Sequence, residues 1–483
     1  MDGVEPTLLT PIAAEFADVE LGDARLRKRL VQIAEAAERA PGASLPEQAG
    51  SSAALEATYR FFGNENVSAQ TVFDGHVKAT IDRAEKSSDV FIVHDTTEFR
   101  FGGTHDREGL GWISTDRRDG FLAHFSFCVS RDGQPLGSLG LFAWNRQGKR
   151  KGRLTAKRRL SDPSRESLRW QDAALLTGEL LHNKAKAIHL MDREGDSYEL
   201  FALLLEHEQN FVIRLGHDRR LEPGRGATAS AKLYESLSQS PFFFEREIKL
   251  SARGKPNGSN KTTAFPARKR RIASLEVRAG RREIFINSAA PPHLPRSLLL
   301  NFVEVTEPNP PDDEPPVLWR LVTTEPIETA DQVAAIIDAY RQRWIVEEFF
   351  KAVKTGCRYQ QLQLETGRGL LIALAIESAI AWRMLLLRWI AHEKTGSSAA
   401  NVLPKEQLEL LIALSKLETK RPLSEQPNVE DAMLEVARLG GHIKNNGPPG
   451  WLILRRGFDK LLTIHRGWSL ANEGECTQRC DQS

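Results

Sequence analysis

The chain has 483 residues, 41% of them apolar and 27% charged, with a net charge of +2. This describes a globular protein with room for two to four domains and a substantial core. Four cysteines in such a length argue against a disulfide framework and fit a reducing cytoplasm.

The first residues, MDGVEPTLLTPIAAEF, have neither a basic n-region nor an apolar h-region, so no secretory signal is expected. Leu21 to Ala40 has helical periodicity and stops at Pro41-Gly42, and a second helix is expected from Ser52, as N-cap, to Phe62. Short helices with a basic first turn suit a small DNA-binding module over residues 1–70. From about 71 the pattern changes to strands: Val90–Val93 ending in His94-Asp95, Phe121–Ser130, Pro135–Trp144, Ala187–Met191 ending in Asp192, and Phe211–Arg214, with a helix over Ser197–Glu206. Residues 220–318 mix Gly, Pro, Ser and basic residues with β-like runs (Phe242–Leu250, Ser297–Val305) and read as a β-rich insertion within a central domain of 71–368. Leu318–Val322 resumes the core, a long helix starts near Ala330, and 369–483 is a helical domain with a polar tail. Leu370–Ala391 is apolar enough to consider as a membrane span, but Glu377, Arg383 and Arg388 interrupt it, so a buried helix is expected. Cys476 and Cys480 form a C-x3-C in the tail without nearby partner ligands.

Charge is distributed unevenly. Basic runs stand at Arg25–Arg29, Lys149–Arg159, Arg268–Arg271 and Arg281-Arg282. Each alone can be solvated surface; together they also fit a polyanion that touches some faces and not others.

Asp95 and Asp192 each follow an apolar strand, where the carboxyl edge of a sheet presents side chains to a cleft. Read as one continuous helix at about 100° per residue, Tyr340, Arg343, Glu347 and Lys354 point to about 0°, −60°, −20° and −40°. One carboxylate is then flanked by two cations and a phenol. Two strand aspartates and this glutamate would make a hard, all-oxygen site for Mg²⁺ or Mn²⁺ rather than zinc. Two such ions would offset the carboxylate repulsion and serve an in-line displacement at phosphorus. The alternatives are aspartates capping turns, and a solvated helix face with i, i+4 ion pairs. Glu348, about 100° round from Glu347, reads as structural.

Tyr-x2-Arg-x3-Glu-x6-Lys at Tyr340–Lys354 resembles the signature of the IS-four family of DDE transposases, the Tn-five transposase among them. His94–Thr97 and Asp192–Tyr198 are similar to that family's first and second aspartate strands. Glu20–Arg25 and Tyr59–Ser68 resemble its DNA-binding domain, and Leu439–Gly441 with Trp451–Trp468 its C-terminal helices. The resemblance implies an α+β, ribonuclease H-like mixed-sheet core with a β-rich insertion, flanked by an N-terminal helical DNA-binding domain and a C-terminal helical dimerisation domain. It implies cut-and-paste transposition by a nucleoid-associated homodimer acting on transposon end DNA and target DNA, with nicking, hairpin formation and resolution, and strand transfer. By position, Asp95, Asp192 and Glu347 are the catalytic and metal-binding set, holding two Mg²⁺ (or Mn²⁺) ions. Tyr340, Arg343 and Lys354 would grip phosphates. Trp319 would stack a flipped base, although it reads equally as a core aromatic. Arg214, Trp344 and Lys351 match DNA-contacting positions, and Arg25, Arg27, Lys28 and Arg29 keep the basic character of the end-binding helix. The basic stretch from Ala267 fits a DNA-facing role.

Three other functions remain open on the residues alone: a DNA-binding protein that keeps the fold without catalysis, a metal-dependent nuclease that does not join ends, and a two-carboxylate glycoside hydrolase. The last gives no reason for the cationic residues around Glu347.

Overall fold

The computed structural model describes residues 10–102, 107–113, 119–147, 162, 164–222, 231–252, 267–286, 293–312, 314–393, 396–443 and 448–480, the side chains of 469–480 excepted. The basic run Lys149–Arg159 and the thiols of Cys476 and Cys480 lie outside the described residues. Among those described, nine strands form one mixed sheet: β1 (Asp89–Arg100), β2 (Gly120–Ser130), β3 (Pro135–Trp144), β4 (Lys186–Met191), β5 (Asn210–Arg214), β6 (Phe242–Leu250), β7 (Arg271–Phe285), β8 (Ser297–Thr306) and β9 (Leu318–Thr323). Their order is β3-β2-β1-β4-β5-β9-β8-β7-β6. The chain divides into two compact units. One comprises Met1–Ser88, Thr96–Arg150 and Trp344–Ser483; the other comprises Asp89–Asp95 and Lys151–Arg343.

In the second unit, the start of β1 pairs parallel with β4, and β4 pairs parallel with β5. Parallel strands covered on both faces lose the polar alternation, and Phe91–Val93, Ile188–Met191 and Phe211–Ile213 are buried without a break. β9, β8, β7 and β6 follow in antiparallel pairs, so the β-rich stretch extends the same sheet. The unit's core gathers Phe201, Phe211, Leu233, Leu237, Phe302 and Val322, and the rings of Phe201 and Phe211 stack at 5.8 Å. Several arginines of the expected DNA-facing stretch are tied inward instead. Arg271 forks between Glu307 and Glu314, and Arg282 donates to Ser236 and Ser240. Here the basic residues hold strands and loop together.

The first unit begins with the helices Ile12–Phe16, Ala24–Arg39, Leu45–Ala49, Ser52–Gly63 and Ala69–Ser87. Asp23 caps the second of these through the Arg25 N–H at 2.8 Å, and Ser51, one residue before the expected cap, accepts from Ala54. Leu45–Ala49 is too short to show a period. Ala69–Ser87 occupies residues where the sequence reads as a change to strands. It buries Val72, Phe73, Val77 and Ile81 and packs on β3 and the helix Gly367–Glu393. A buried polar cluster joins these elements: His76 contacts Glu15 at 2.6 Å, and Arg83 pairs with Glu15 and lies 3.9 Å over the Trp382 ring.

Gly367–Glu393 is apolar all round, as a core helix must be. Its most apolar stretch is long enough to cross a membrane but is 83% buried within this unit. The charges that interrupt it are accommodated locally: Arg383 pairs with Glu38 at 2.5 Å and Arg388 with Glu348 at 2.7 Å, while Glu377 is buried. The helices Lys405–Glu418, Val429–Leu439 and Trp451–Cys480 close the unit around Leu411, Val436 and Leu461. The last of these continues as helix through the expected polar tail.

Candidate active site

The second unit holds both aspartates. Pairing partners from Asp89↔Lys186 to Val93↔Leu190 keep one constant offset, and Asp95 and Asp192 share it (95 to 192 as 93 to 190). Side chains alternate along a strand, so Asp95 lies on the same face as Val93 and Asp192 on that of Leu190. The two carboxylates therefore stand level on one face where β4 ends. The structure corrects one detail: β1 runs on to Arg100, so Asp95 sits within its strand, and only β4 stops beside it. Asp192 leaves β4 in extended conformation and caps the turn Arg193–Gly195, its Oδ1 accepting the Glu194 N–H at 2.8 Å. The turn-capping alternative is thus realised at Asp192, through one of its oxygens.

Two groups from the helix Ala330–Arg341 and the turn after it reach this pair. Arg343, buried, donates from Nη1 to Asp95 Oδ2 at 3.2 Å. Tyr340 is also buried, and burial raises its pKa; Asp192 adds to the rise, whereas Arg343 and Arg214 oppose it. Arg214 hydrogen-bonds Tyr340 and donates to the Leu318 carbonyl at 3.1 Å; burial depresses its pKa, with Tyr340 opposing. Trp319 meets the Tyr340 ring edge-on at 6.0 Å between centroids. Asp95, Asp192, Arg214, Trp319, Tyr340 and Arg343 thus belong to one connected cluster.

The helix geometry differs from the continuous α-helix expected from sequence. Gln342–Trp344 is a 3₁₀ turn, the α-helix resumes over Ile345–Lys351, and Ala352–Gly356 is a π-turn closed by the Cys357 N–H to the Ala352 carbonyl at 2.8 Å. Side chains three apart eclipse in a 3₁₀ turn. Tyr340 and Arg343 are therefore brought into line, and angles summed at one α-helical rate do not hold as far as Lys354. The division between units falls within the first turn, between Arg343 and Trp344.

The first unit carries the remaining residues. Phe349 packs on Phe125 and Phe127 of β2 with centroids at 5.3 and 4.7 Å, fixing the helix that presents the half-buried Glu347. Lys354 Nζ lies 5.4 Å over the Phe99 ring. Trp344 is exposed. Lys351 is held by Glu348 at 2.7 Å; Glu348 also receives Arg388 and, at 2.9 Å, the Trp451 indole N–H. Glu348 is thus a structural hub, as its position round the helix implies. On the helix Ala24–Arg39, Arg25, Arg27 and Lys28 are exposed and Arg29 is half-buried, with Arg25 paired to its cap Asp23 at 3.0 Å.

Sequence reasoning missed two polar assemblies behind the aspartates. Asp196, buried, accepts the backbone N–H groups of Gly216 and His217 at 2.5 and 2.8 Å and pairs with Arg219, tying the turn after Asp192 to the chain after β5. A second acid in so short a loop was the available signal. His94 and His189, both wholly buried, contact each other at 2.9 Å. Burial lowers the His189 pKa to about 4 against the opposing bond from Gln209, so its ring is neutral.

Residues 11–67 match the family model described as transposase DNA-binding, and residues 171–383 match the one described as transposase DDE domain. The chain carries both domains of a DNA transposase. The DDE match makes the mixed sheet a ribonuclease H-like core and the chemistry that of a divalent-metal-dependent DNA-cleaving and strand-transferring enzyme. It spans Asp192, Arg214, Trp319, Tyr340, Arg343, Trp344, Glu347, Lys351 and Lys354 of the transposase but begins after Asp95. The assignment of Asp95 therefore leans on its register with Asp192. Among the described residues no group of three or more His, Cys, Asp or Glu side chains is gathered to hold a metal ion. The level pair of aspartates is a hard oxygen donor set of the kind Mg²⁺ prefers, and Arg343 already supplies a positive charge beside Asp95.

Proposed function

We propose that this transposase works by the cut-and-paste route of the IS-four type, with Asp95, Asp192 and Glu347 as its metal-binding carboxylates. The observation that carries the reading is the level placement of Asp95 and Asp192, with Arg343 against the first and Tyr340 close to the second. Two divalent ions held by these carboxylates would activate the attacking oxygen and stabilise the leaving one. The chain's own residues do the rest. Arg343, Lys354 and Tyr340 bind and orient phosphate oxygens by charge and hydrogen bonding. Trp319, half-buried against Tyr340, offers a π-face to a base turned out of the stack as a hairpin forms. Arg214 steadies the Tyr340 hydroxyl and, with Trp344 and Lys351, lies along the path of end DNA. Arg25, Arg27, Lys28 and Arg29 engage the transposon end from the N-terminal domain. The C-terminal helices serve dimerisation, so that two copies synapse two ends before joining them to target DNA.

The test incubates the protein with its element's terminal duplex, Mg²⁺ and a target plasmid, and follows nicks, hairpins and joined products for wild type, Asp95→Asn and Glu347→Ala. Both variants should lose all three products while still retarding the duplex on a gel. Cleavage that survives either substitution removes that carboxylate from the active set. Nicks without hairpins or joined ends in the wild type favour a nuclease.

A further inference from the structure

The two strands that present the aspartates are apolar on both faces where they pair, along Val90–Val93 and Ala187–Leu190. Burial specifies the register of such strands weakly: a slide of two residues keeps every side chain on its own face and exchanges one apolar neighbour for another. That slide would carry Asp95 roughly 7 Å along the sheet from Asp192. Paired ions in a shared site stand only about 4 Å apart. The register thus matters for metal binding more than the aliphatic side chains can enforce.

A single polar chain crosses these strands on the face opposite the aspartates. His94 Nε2 lies 2.9 Å from His189 Nδ1, and His189 Nε2 lies 3.2 Å from Gln209 Oε1 at the start of β5. The direction of its hydrogens is fixed from one end. Gln209 Nε2 donates to the His207 carbonyl at 2.9 Å, which turns its Oε1 towards His189 as acceptor. His189 must then donate from Nε2 and accept at Nδ1, so His94 donates from Nε2. Gly178 makes room for the amide: a Cβ there would come within 2.6 Å of Gln209 Oε1. A two-residue slide would leave these buried groups without partners, a larger penalty than any aliphatic mismatch the slide creates.

We propose that His94, His189 and Gln209 form a register pin, positioning residues that hold Asp95 level with Asp192 for divalent-metal binding. The proposal rests on the assignment of those aspartates as metal ligands. It is tested with the full-length protein bound to its element's terminal duplex, titrating Mn²⁺ and reading bound ion by electron paramagnetic resonance while Tm is followed separately. His189→Leu and Gln209→Leu should weaken Mn²⁺ binding at least tenfold with Tm within a few degrees of wild type, and cleavage should recover as Mn²⁺ is raised. Gly178→Ala, which leaves both rings in place, should weaken Mn²⁺ binding in the same direction. A purely structural role would lower Tm and leave the affinity of the folded protein intact. If Asp95→Asn loses Mn²⁺ binding while Gln209→Leu and Gly178→Ala stay within twofold of wild type, the pin is overturned whether or not His189→Leu folds. If Asp95→Asn also binds normally, the aspartate assignment fails first and the pin with it.

Discussion

Arg343 and Asp95, 248 residues apart in sequence, are joined by a hydrogen-bonded ion pair of 3.2 Å in which both side chains are largely shielded from solvent. A guanidinium so placed can turn to a phosphate oxygen when DNA enters while its charge still favours the ionised aspartate. Arg343→Gln is expected to slow single-turnover end cleavage by about 100-fold, the usual cost of one preorganised donor. Retardation of the duplex should change far less. A fall in binding that matches the fall in cleavage would move Arg343 from the chemical step to simple docking.

Trp319 separates two steps that the other residues share. Removing its ring takes away about 1–3 kcal/mol of base stacking and leaves the carboxylates untouched. Trp319→Ala should reduce hairpin yield at least tenfold while first-strand nicking stays within about threefold, as resolved on a denaturing gel. Equal loss of both would return Trp319 to the role of a core aromatic supporting Tyr340.

Glu377 gives the fold a pH dependence of its own. Burial raises its pKa to about 7, with the Cys357 contact pulling the other way, and its Oε2 has no hydrogen-bond partner. In the unfolded chain the same carboxyl would ionise near 4.5. A raised folded pKa means that the stability it contributes is complete below about pH 4.5 and is lost as pH rises through about 7. Glu377→Gln should therefore stabilise the protein by roughly 3 kcal/mol at pH 8 and have little effect at pH 4.5. Urea denaturation at the two pH values checks it, and a benefit independent of pH would mean Glu377 is ionised in the fold.

Gly457 marks a close helix crossing. A Cβ at this position would stand 1.8 Å from the Val436 carbonyl oxygen, and one at Gly440 2.0 Å from that of Ile453. Because backbone must move to relieve such contacts, Gly457→Ala should cost about 2 kcal/mol despite its favourable helix propensity. Gly467→Ala, on the same helix with open space around it, should be neutral or mildly stabilising. Equal thermal shifts for the two would contradict the crossing.

Much of the sheet could be read from sequence because buried parallel strands leave unbroken aliphatic runs bounded by acids, as at Val90–Val93 and Ala187–Met191. Ala69–Ser87 was lost because its apolar residues follow the polar caps of the preceding module without a Pro or Gly to announce a new element. The residue types around the aspartates could also be read, since a tyrosine, two cations and a carboxylate recur at short spacings. Their geometry could not. Whether Gln342–Trp344 tightens and Ala352–Gly356 widens depends on packing, such as Phe349 against Phe125 and Phe127, which no local pattern encodes. The His94–His189–Gln209 chain was hidden for a related reason: its members lie in three strands, and only pairing brings them together.

The π-turn at Ala352–Gly356 has a consequence for chain length. Its carbonyl-to-amide closure encloses one residue more than an ordinary helical turn. Deleting one residue there would let a regular helix form but would rotate everything after it by about 100°. Tyr359, whose hydroxyl is buried against the Leu370 carbonyl at 2.6 Å, would then face the wrong way. The stretch from Glu347 to Lys354 should accept many single substitutions and almost no change in its number of residues.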